Sequence, residues 1–282
     1  MDPMQLYVQS MQQTDHKIRE QARLEGQHEN VLHAMNGQAI YAPIDLSMPN
    51  LRILDAGCAN GRWLEDLAKS VAPTQHSYVG IDVSDGAFPD QAPDNFTFVK
   101  QSIADPWPAS WKGTFDIVHQ RFTLAGGAQL GLLPLVQNFA DLLSPGGWIQ
   151  LVEPDTDEIP GNAESATQFI DMIEALLAFS FRQARPFKDL DQVLKDAGLT
   201  NVQRRDVMVP WGTTAPTAEL AIKGIETPAA VVNEMESAMK GLGIWENQWN
   251  GLEARLRKEL AEKGGFERIN IVCGQKKTED SL

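Results

Sequence analysis

Cysteine is nearly absent from this chain: Cys58 and Cys273 are the 2 present in 282 residues, and they lie far apart. Such a pair gives no disulfide framework and no metal-ligand spacing, so neither a stapled scaffold nor a bound metal is expected. Long apolar runs are also missing, and none approaches the roughly 20 residues that cross a bilayer. The opening MDPMQLYVQ carries an early acid and no apolar core, unlike a secretory leader. Runs of cations are the third absence. The 24 Lys and Arg are scattered against 38 Asp and Glu, a formal net charge of -14. A field of that sign repels phosphodiester backbones, so a nucleic-acid partner is not expected. No internal repeat or low-complexity segment is found. The expectation is a soluble, cytoplasmic protein that meets a small molecule and no membrane, with monomer and homodimer equally open.

What the chain does have is length and 43% hydrophobic residues, enough for one sizeable α/β domain with an attached helical part. Residues 12–35 read as a helix that precedes the first strand and looks like a lid. An alternation follows. LRIL (51–54), SYVGID (77–82), FTFVK (96–100), FDIVHQ (115–120) and GGWIQLVE (146–153) are short Val/Ile/Leu/Phe-rich runs. Helical patterns at 61–70 and near 129–143 separate some of them, a rhythm that fits a parallel sheet covered on both faces. The second half changes texture. Residues 166–184 are strongly helical, 189–210 read helix, turn and strand, 216–240 and 246–263 suit helices, and 268–276 return as strand. The expected organisation is a helical lid (1–45), a ligand-binding core (46–158) and a helical cap (159–188). The rest of the sheet (189–276) carries a helical insert (216–263), and a flexible tail closes the chain (277–282).

The stretch ILDAGCANG couples a strand end to a helix start through Gly57 and Gly61. Position 59 is alanine, so the pattern is D-x-G-x-x-x-G and not the dinucleotide fingerprint G-x-G-x-x-G. Asp55 beside the turn would repel a pyrophosphate but could reach an ammonium group. Asp82 ends the second strand, next to the first turn in a doubly wound sheet, where a carboxylate can accept both hydroxyls of a ribose. The combination asks for an adenosine-like ligand with a charged amino-acid end, a description that S-adenosylmethionine meets.

ILDAGCANG, GIDVS, FVKQSIADPWP, FDIVHQR and LLSPGGWIQLVEP together resemble the class I S-adenosylmethionine-dependent methyltransferases, over most of residues 45–155. The resemblance implies a Rossmann-like, doubly wound, seven-stranded and mostly parallel sheet whose last hairpin leaves one strand antiparallel. Two departures stand out: Ala59 replaces a common glycine, and Gln101, Ser102 and Ile103 replace a common acid after the third strand. LEGQHENVLHAM, Trp63, VHQRF and LVEPD are further similar to methyltransferases of fungal secondary metabolism. That group includes thiol-methylating enzymes of the epipolythiodioxopiperazine pathways and proteins discussed as regulators. The activity implied is methyl transfer to S, O or N of a small, largely apolar metabolite. The rival reading keeps the cofactor without transfer, as a rearrangement catalyst or a regulator.

The residues that the resemblance and the topology single out for the cofactor are Asp55, Gly57, Cys58, Gly61, Asp82, Val83, Ser102, Ile103, Gln120 and, on the N-terminal helix, Arg23. Cys58 is equally readable as packing. His119 is the candidate proton acceptor, or else a hydrogen-bonded structural residue. Arg121, Glu153, Phe179, Trp211 and Trp245 are candidates for the substrate. For Arg121, the alternatives are the cofactor carboxylate, ordering of the lid or a partner acid; for Glu153, a lid tie or a solvated loop. Core packing is the plain alternative for the aromatics. Trp63, His28, Asp155 and Tyr7 are weaker candidates.

Overall fold

In the computed structural model the residues described are 14–245 and 248–278. Tyr7 and positions 279–282 of the expected tail lie outside them. A seven-stranded sheet organises the chain, in the order β3-β2-β1-β4-β5-β7-β6. Its strands are β1 (Arg52–Ala56), β2 (Ser77–Asp82), β3 (Phe96–Lys100), β4 (Phe115–Arg121), β5 (Leu143–Asp155), β6 (Thr200–Trp211) and β7 (Gly265–Gln275). The first five pair in parallel, with Asp55 opposite Gly80 on one side and His119 on the other, and His119 in turn opposite Gln150. β7 runs the other way. The Gly146 N–H donates to the Lys276 carbonyl and the Lys276 N–H to the Gly147 carbonyl, joining the start of β5 to the end of β7. β1 and β2 are buried almost throughout, whereas the edge strand β6 alternates toward solvent.

The fifth strand starts three residues earlier than the sequence pattern indicates. An irregularity between Phe115 and Ile117 lets Leu143 pair ahead of Trp148, so the two glycines lie within the strand instead of before it. The helix expected near 129–143 is divided as well. A 3-10 segment over Leu124–Leu130 precedes the α-helix Leu132–Leu142, labelled α3 below.

Two compact units are distinguished by their internal packing. One comprises Gln38–Glu153, Pro186–Asp206 and Asn270–Leu282. It contains β1 to β4, most of β5, and the helices α2 (Arg62–Val71), α3 and α5 (Leu190–Asp196). On α2 the buried Trp63, Leu64 and Leu67 make one apolar face at helical spacing, while Glu65 and Lys69 take the other. Within this unit Gln150 accepts from the Tyr41 N–H (2.6 Å) and donates to the Ala39 carbonyl (3.0 Å), fixing the segment ahead of β1.

The other unit comprises Met1–Gly37, Pro154–Arg185 and Val207–Ile269, described from residue 14 onward. It holds α1 (Thr14–Ala34), α4 (Glu164–Phe181), α6 (Ala218–Gly241) and α7 (Leu252–Lys263). The first helix, the 159–185 stretch and the 216–263 insert thus share one compact body. Its core gathers Phe169, Met172, Trp211, Val232, Trp249 and Leu256, with Phe169 and Trp211 edge to face at 5.4 Å. No helix among the described residues is long and apolar enough to cross a membrane.

Candidate functional site

The turn after β1 is built by close approach. Gly57 has φ 84, and a Cβ there would stand 2.1 Å from Thr123 Cγ2; at Gly61, with φ 78, it would stand 2.6 Å from Phe98 Cζ. Both positions need a residue without Cβ. Ala59 between them is also left-handed, at φ 47, although it carries a Cβ. The turn's N–H groups are mostly spent on the protein itself. Those of Gly57 and Cys58 both donate to the Ile81 carbonyl at 2.8 Å, and that of Gly61 to the Cys58 carbonyl. The Ala59 N–H goes to Asp82 Oδ2 (3.1 Å) and the Arg62 N–H to Asn60 Oδ1 (3.2 Å). With most of its own donors used, the turn offers carboxylates and carbonyls. That chemistry suits a cation and hydroxyl groups and is poor for a diphosphate.

Asp82 accepts from Ala59 through one oxygen and from the Ser84 N–H (3.0 Å) through the other. Each oxygen keeps a lone pair for a hydroxyl donor. Burial, reinforced by Asp55, pushes the Asp82 carboxyl up, against the lowering pull of the Ser84, Ala59 and Val83 N–H groups. Cys58 packs its thiol against Gly80, where an added Cβ would meet Sγ at 2.8 Å. Burial and the two nearby carboxylates raise that thiol well above its ordinary value, so it stays a neutral packing group. After β3, Ser102 Oγ accepts from the Ala104 N–H (3.1 Å), and Ile103 is buried.

Beside Asp55 on the neighbouring strand stands His119. Its Nδ1 lies 2.7 Å from Asp55 Oδ1, and its ring stacks on Trp63 at 3.7 Å between centroids with the planes 3° apart. His119 and Asp55 are 2% and 3% exposed, so little of either meets bulk water. Burial pulls the imidazole below its usual value, opposed by Asp55 and assisted by Arg121. The Arg121 guanidinium is drawn down to about 10 by burial, with Asp55 acting against the shift.

The opposite face of β4 carries a second polar pair. Gln120 Nε2 donates to Glu153 Oε1 at 2.5 Å, and the same oxygen accepts from the Thr123 N–H (3.2 Å) and the Leu124 N–H (3.0 Å). Burial raises the Glu153 carboxyl to about 8 despite those three donors. Thr123 then donates its hydroxyl to the Ala56 carbonyl at 3.2 Å. Glu153 therefore holds the loop that presses on Gly57. Thr123 and Phe98 shape the turn, yet no local sequence signal marks either. Trp63, by contrast, was visible as an aromatic just inside α2.

The remaining candidates fall in the helical unit. Arg23 forms a bidentate pair with the fully buried Glu20, both contacts at 2.6 Å, and Glu234 stands 4.0 Å away. His28 is buried. Asp155 pairs with Arg268 at 3.2 Å. Trp211 is 3% exposed, within the core, whereas Phe179 is 49% exposed on α4. Trp245 stands edge to face with Trp249 at 5.2 Å. The structure thus brings together Asp55, Gly57, Cys58, Gly61, Asp82, Val83, His119 and Arg121 around one turn.

Comparison with known proteins agrees with this geometry. Residues 25–204 match a family model described as a methyltransferase domain. The chain is 40% identical over 268 residues to N-methyltransferase sirN of Leptosphaeria maculans, covering 93% of each protein. It is 37% identical over 246 residues to methyltransferase psoC of Aspergillus fumigatus, covering 86% of this chain and 89% of the relative. Among solved structures, phosphoethanolamine N-methyltransferase 2 of Haemonchus contortus in complex with S-adenosyl-L-methionine superposes with a TM-score of 0.51 at 12% identity. That match covers 89% of this chain and 53% of the nematode protein, so the chain spans about half of its length.

Proposed function

The chain belongs to the methyltransferase domain family, and on that premise we propose that it transfers a methyl group from S-adenosylmethionine to a nitrogen of a small, largely apolar secondary metabolite. The observation that carries the cofactor half is the donor-depleted turn flanked by Asp55 and Asp82. What S-adenosylmethionine supplies there is an activated methyl: the C–N bond forms as the sulfonium C–S bond breaks, releasing S-adenosylhomocysteine and a proton. Asp82 accepts the ribose hydroxyls and Asp55 takes the ammonium group. Ile103 and the Ser102 hydroxyl flank the adenine. Gly57 and Gly61 keep the turn low enough for close approach. Arg121 provides the positive charge that complements a carboxylate. Nitrogen is favoured over sulfur or oxygen because a relative covering 93% of the chain is named an N-methyltransferase.

Phe179, exposed on α4, is the proposed apolar contact for the acceptor, joined by Trp245. Trp211 serves the helical core. Arg23 and Glu153, engaged by Glu20 and by the loop after β4, act as positioning groups. Both cysteines are free and buried, which accords with a reducing compartment, and the cytoplasm is the proposed location.

The test is calorimetry with S-adenosylhomocysteine and with NAD, followed by incubation with isotopically methyl-labelled S-adenosylmethionine and fungal small-molecule extracts. Binding of the first nucleoside alone, and label recovered on an amine or amide nitrogen, are expected. Binding of NAD in preference would overturn the cofactor assignment. Label on sulfur or oxygen would overturn the choice of nitrogen.

A further inference from the structure

Building on the S-adenosylmethionine reading, we propose that His119 is a positioning residue: it fixes Asp55 for the cofactor's ammonium group and is not the proton acceptor of the transfer. Asp55 and His119 are Cα partners on the parallel strands β1 and β4, so their side chains leave the sheet on the same face. The neutral imidazole favoured by burial places its hydrogen on Nδ1, where it donates to Asp55 Oδ1 across 2.7 Å. Asp55 Oδ2 takes no hydrogen bond among the described residues. One oxygen is thus held by the protein and the other is left for a cationic ligand.

Trp63 completes the clamp. Its indole lies parallel to the imidazole at 3.7 Å and resists rotation of the ring out of the Asp55 bond. A proton acceptor has to turn toward the acceptor molecule, whereas His119 has Nδ1 engaged by Asp55 and one ring face stacked on Trp63. Its other neighbour is charged: Arg121 disfavours protonation of the ring. Holding a carboxylate in one rotamer costs His119 nothing at the moment of reaction. A free Asp55, in contrast, would have to be oriented by the ligand.

Two nucleosides separate this role from its rivals. S-adenosylhomocysteine carries the amino-acid end, and 5′-deoxy-5′-methylthioadenosine lacks it. With His119→Ala, calorimetry is expected to show S-adenosylhomocysteine affinity falling roughly tenfold or more, the scale of a lost hydrogen bond to a charged group. Methylthioadenosine affinity should stay within about twofold, since it has no ammonium group for Asp55 to hold. With His119→Asn, whose Nδ2 can stand in for Nδ1, most of the S-adenosylhomocysteine affinity should return. Equal losses for both nucleosides, or unchanged S-adenosylhomocysteine affinity in a folded His119→Ala protein, would overturn the proposal. If that variant does not fold, nitrogen NMR of the wild-type histidines decides the matter. A neutral Nδ1–H tautomer for His119 is expected, and an Nε2–H tautomer overturns it. Wild-type protein that binds neither nucleoside would sink the cofactor reading itself, which is a different failure.

Discussion

Ala59 is where the cofactor turn departs from the pattern it resembles, and the departure is visible as geometry. A left-handed alanine costs about 1–2 kcal/mol relative to a conformation that its Cβ prefers, whereas glycine adopts φ 47 without that penalty. Ala59→Gly is therefore expected to stabilise the protein by about 1 kcal/mol, after the greater chain entropy of unfolded glycine is subtracted. Chemical denaturation would read the change, and a destabilised variant would show that the methyl group packs usefully. Asp82 makes the opposite case, because both of its oxygens are already engaged by Ala59 and Ser84 and it is still asked to hold a ribose. Asp82→Ala is expected to weaken S-adenosylhomocysteine by more than about tenfold through the loss of two hydrogen bonds near a charge. Unchanged affinity by calorimetry would remove Asp82 from the site. Asp55 and the two glycines were legible in the sequence because a strand, a turn and a helix start follow one another within a dozen residues, and Asp82 because it ends the next strand. The Asp55–His119 bond was not, since it depends on strand register, which no local pattern encodes.

At the scale of elements, β5 and the loop after β4 behave as one device. Glu153 gathers the Thr123 and Leu124 N–H groups and the Gln120 amide, and Thr123 then packs beneath Gly57. Two substitutions separate shape from charge. Glu153→Ala leaves two backbone donors without an acceptor and is expected to destabilise the protein by about 1–3 kcal/mol for each. Glu153→Gln keeps an acceptor oxygen and should be tolerated. The pH dependence has a definite sign. The unfolded carboxyl ionises near 4.5, whereas the native one holds its proton until about 8. The native state therefore loses stability relative to the unfolded chain as pH rises through that window, by an amount on the order of a few kcal/mol, and is level above it. Urea melts from pH 5 to pH 8 should show this decline in the wild type and a shallower one in Glu153→Gln. Identical slopes would mean that Glu153 is ionised in the native state. The strands themselves were readable from short apolar runs, but their bounds were not. β5 starts at Leu143 because of an irregular pairing with Phe115 that composition cannot disclose.

The whole molecule divides its tasks unevenly between regions that a sequence reveals well and regions that it does not. The sheet-containing unit follows an alternation whose physical logic is local, and the family resemblance covered that part. The helical unit was recognisable as helices through their apolar periodicity. Its organisation depends on partners remote in sequence, such as Glu20 and Arg23 beside Glu234, or Glu29 paired with Lys223. Ligand linkage offers a test that depends on the folded unit as a whole and on no single side chain. A nucleoside that binds only the native state adds about 2.7 kcal/mol at a free concentration one hundred times its dissociation constant. S-adenosylhomocysteine at that excess is therefore expected to raise the unfolding midpoint by several degrees, given about 2–4 °C per kcal/mol for chains of roughly this size. NAD at the same concentration should leave the midpoint in place, because its diphosphate would face Asp55 and Asp82 across a turn most of whose N–H groups are already bonded. The formal net charge of -14 opposes the dinucleotide further, though salt screens that general repulsion and leaves the local one. A midpoint raised by NAD in 0.5 M salt as strongly as by S-adenosylhomocysteine would mean that the turn presents donors after all, and the assignment of its ligand would have to change.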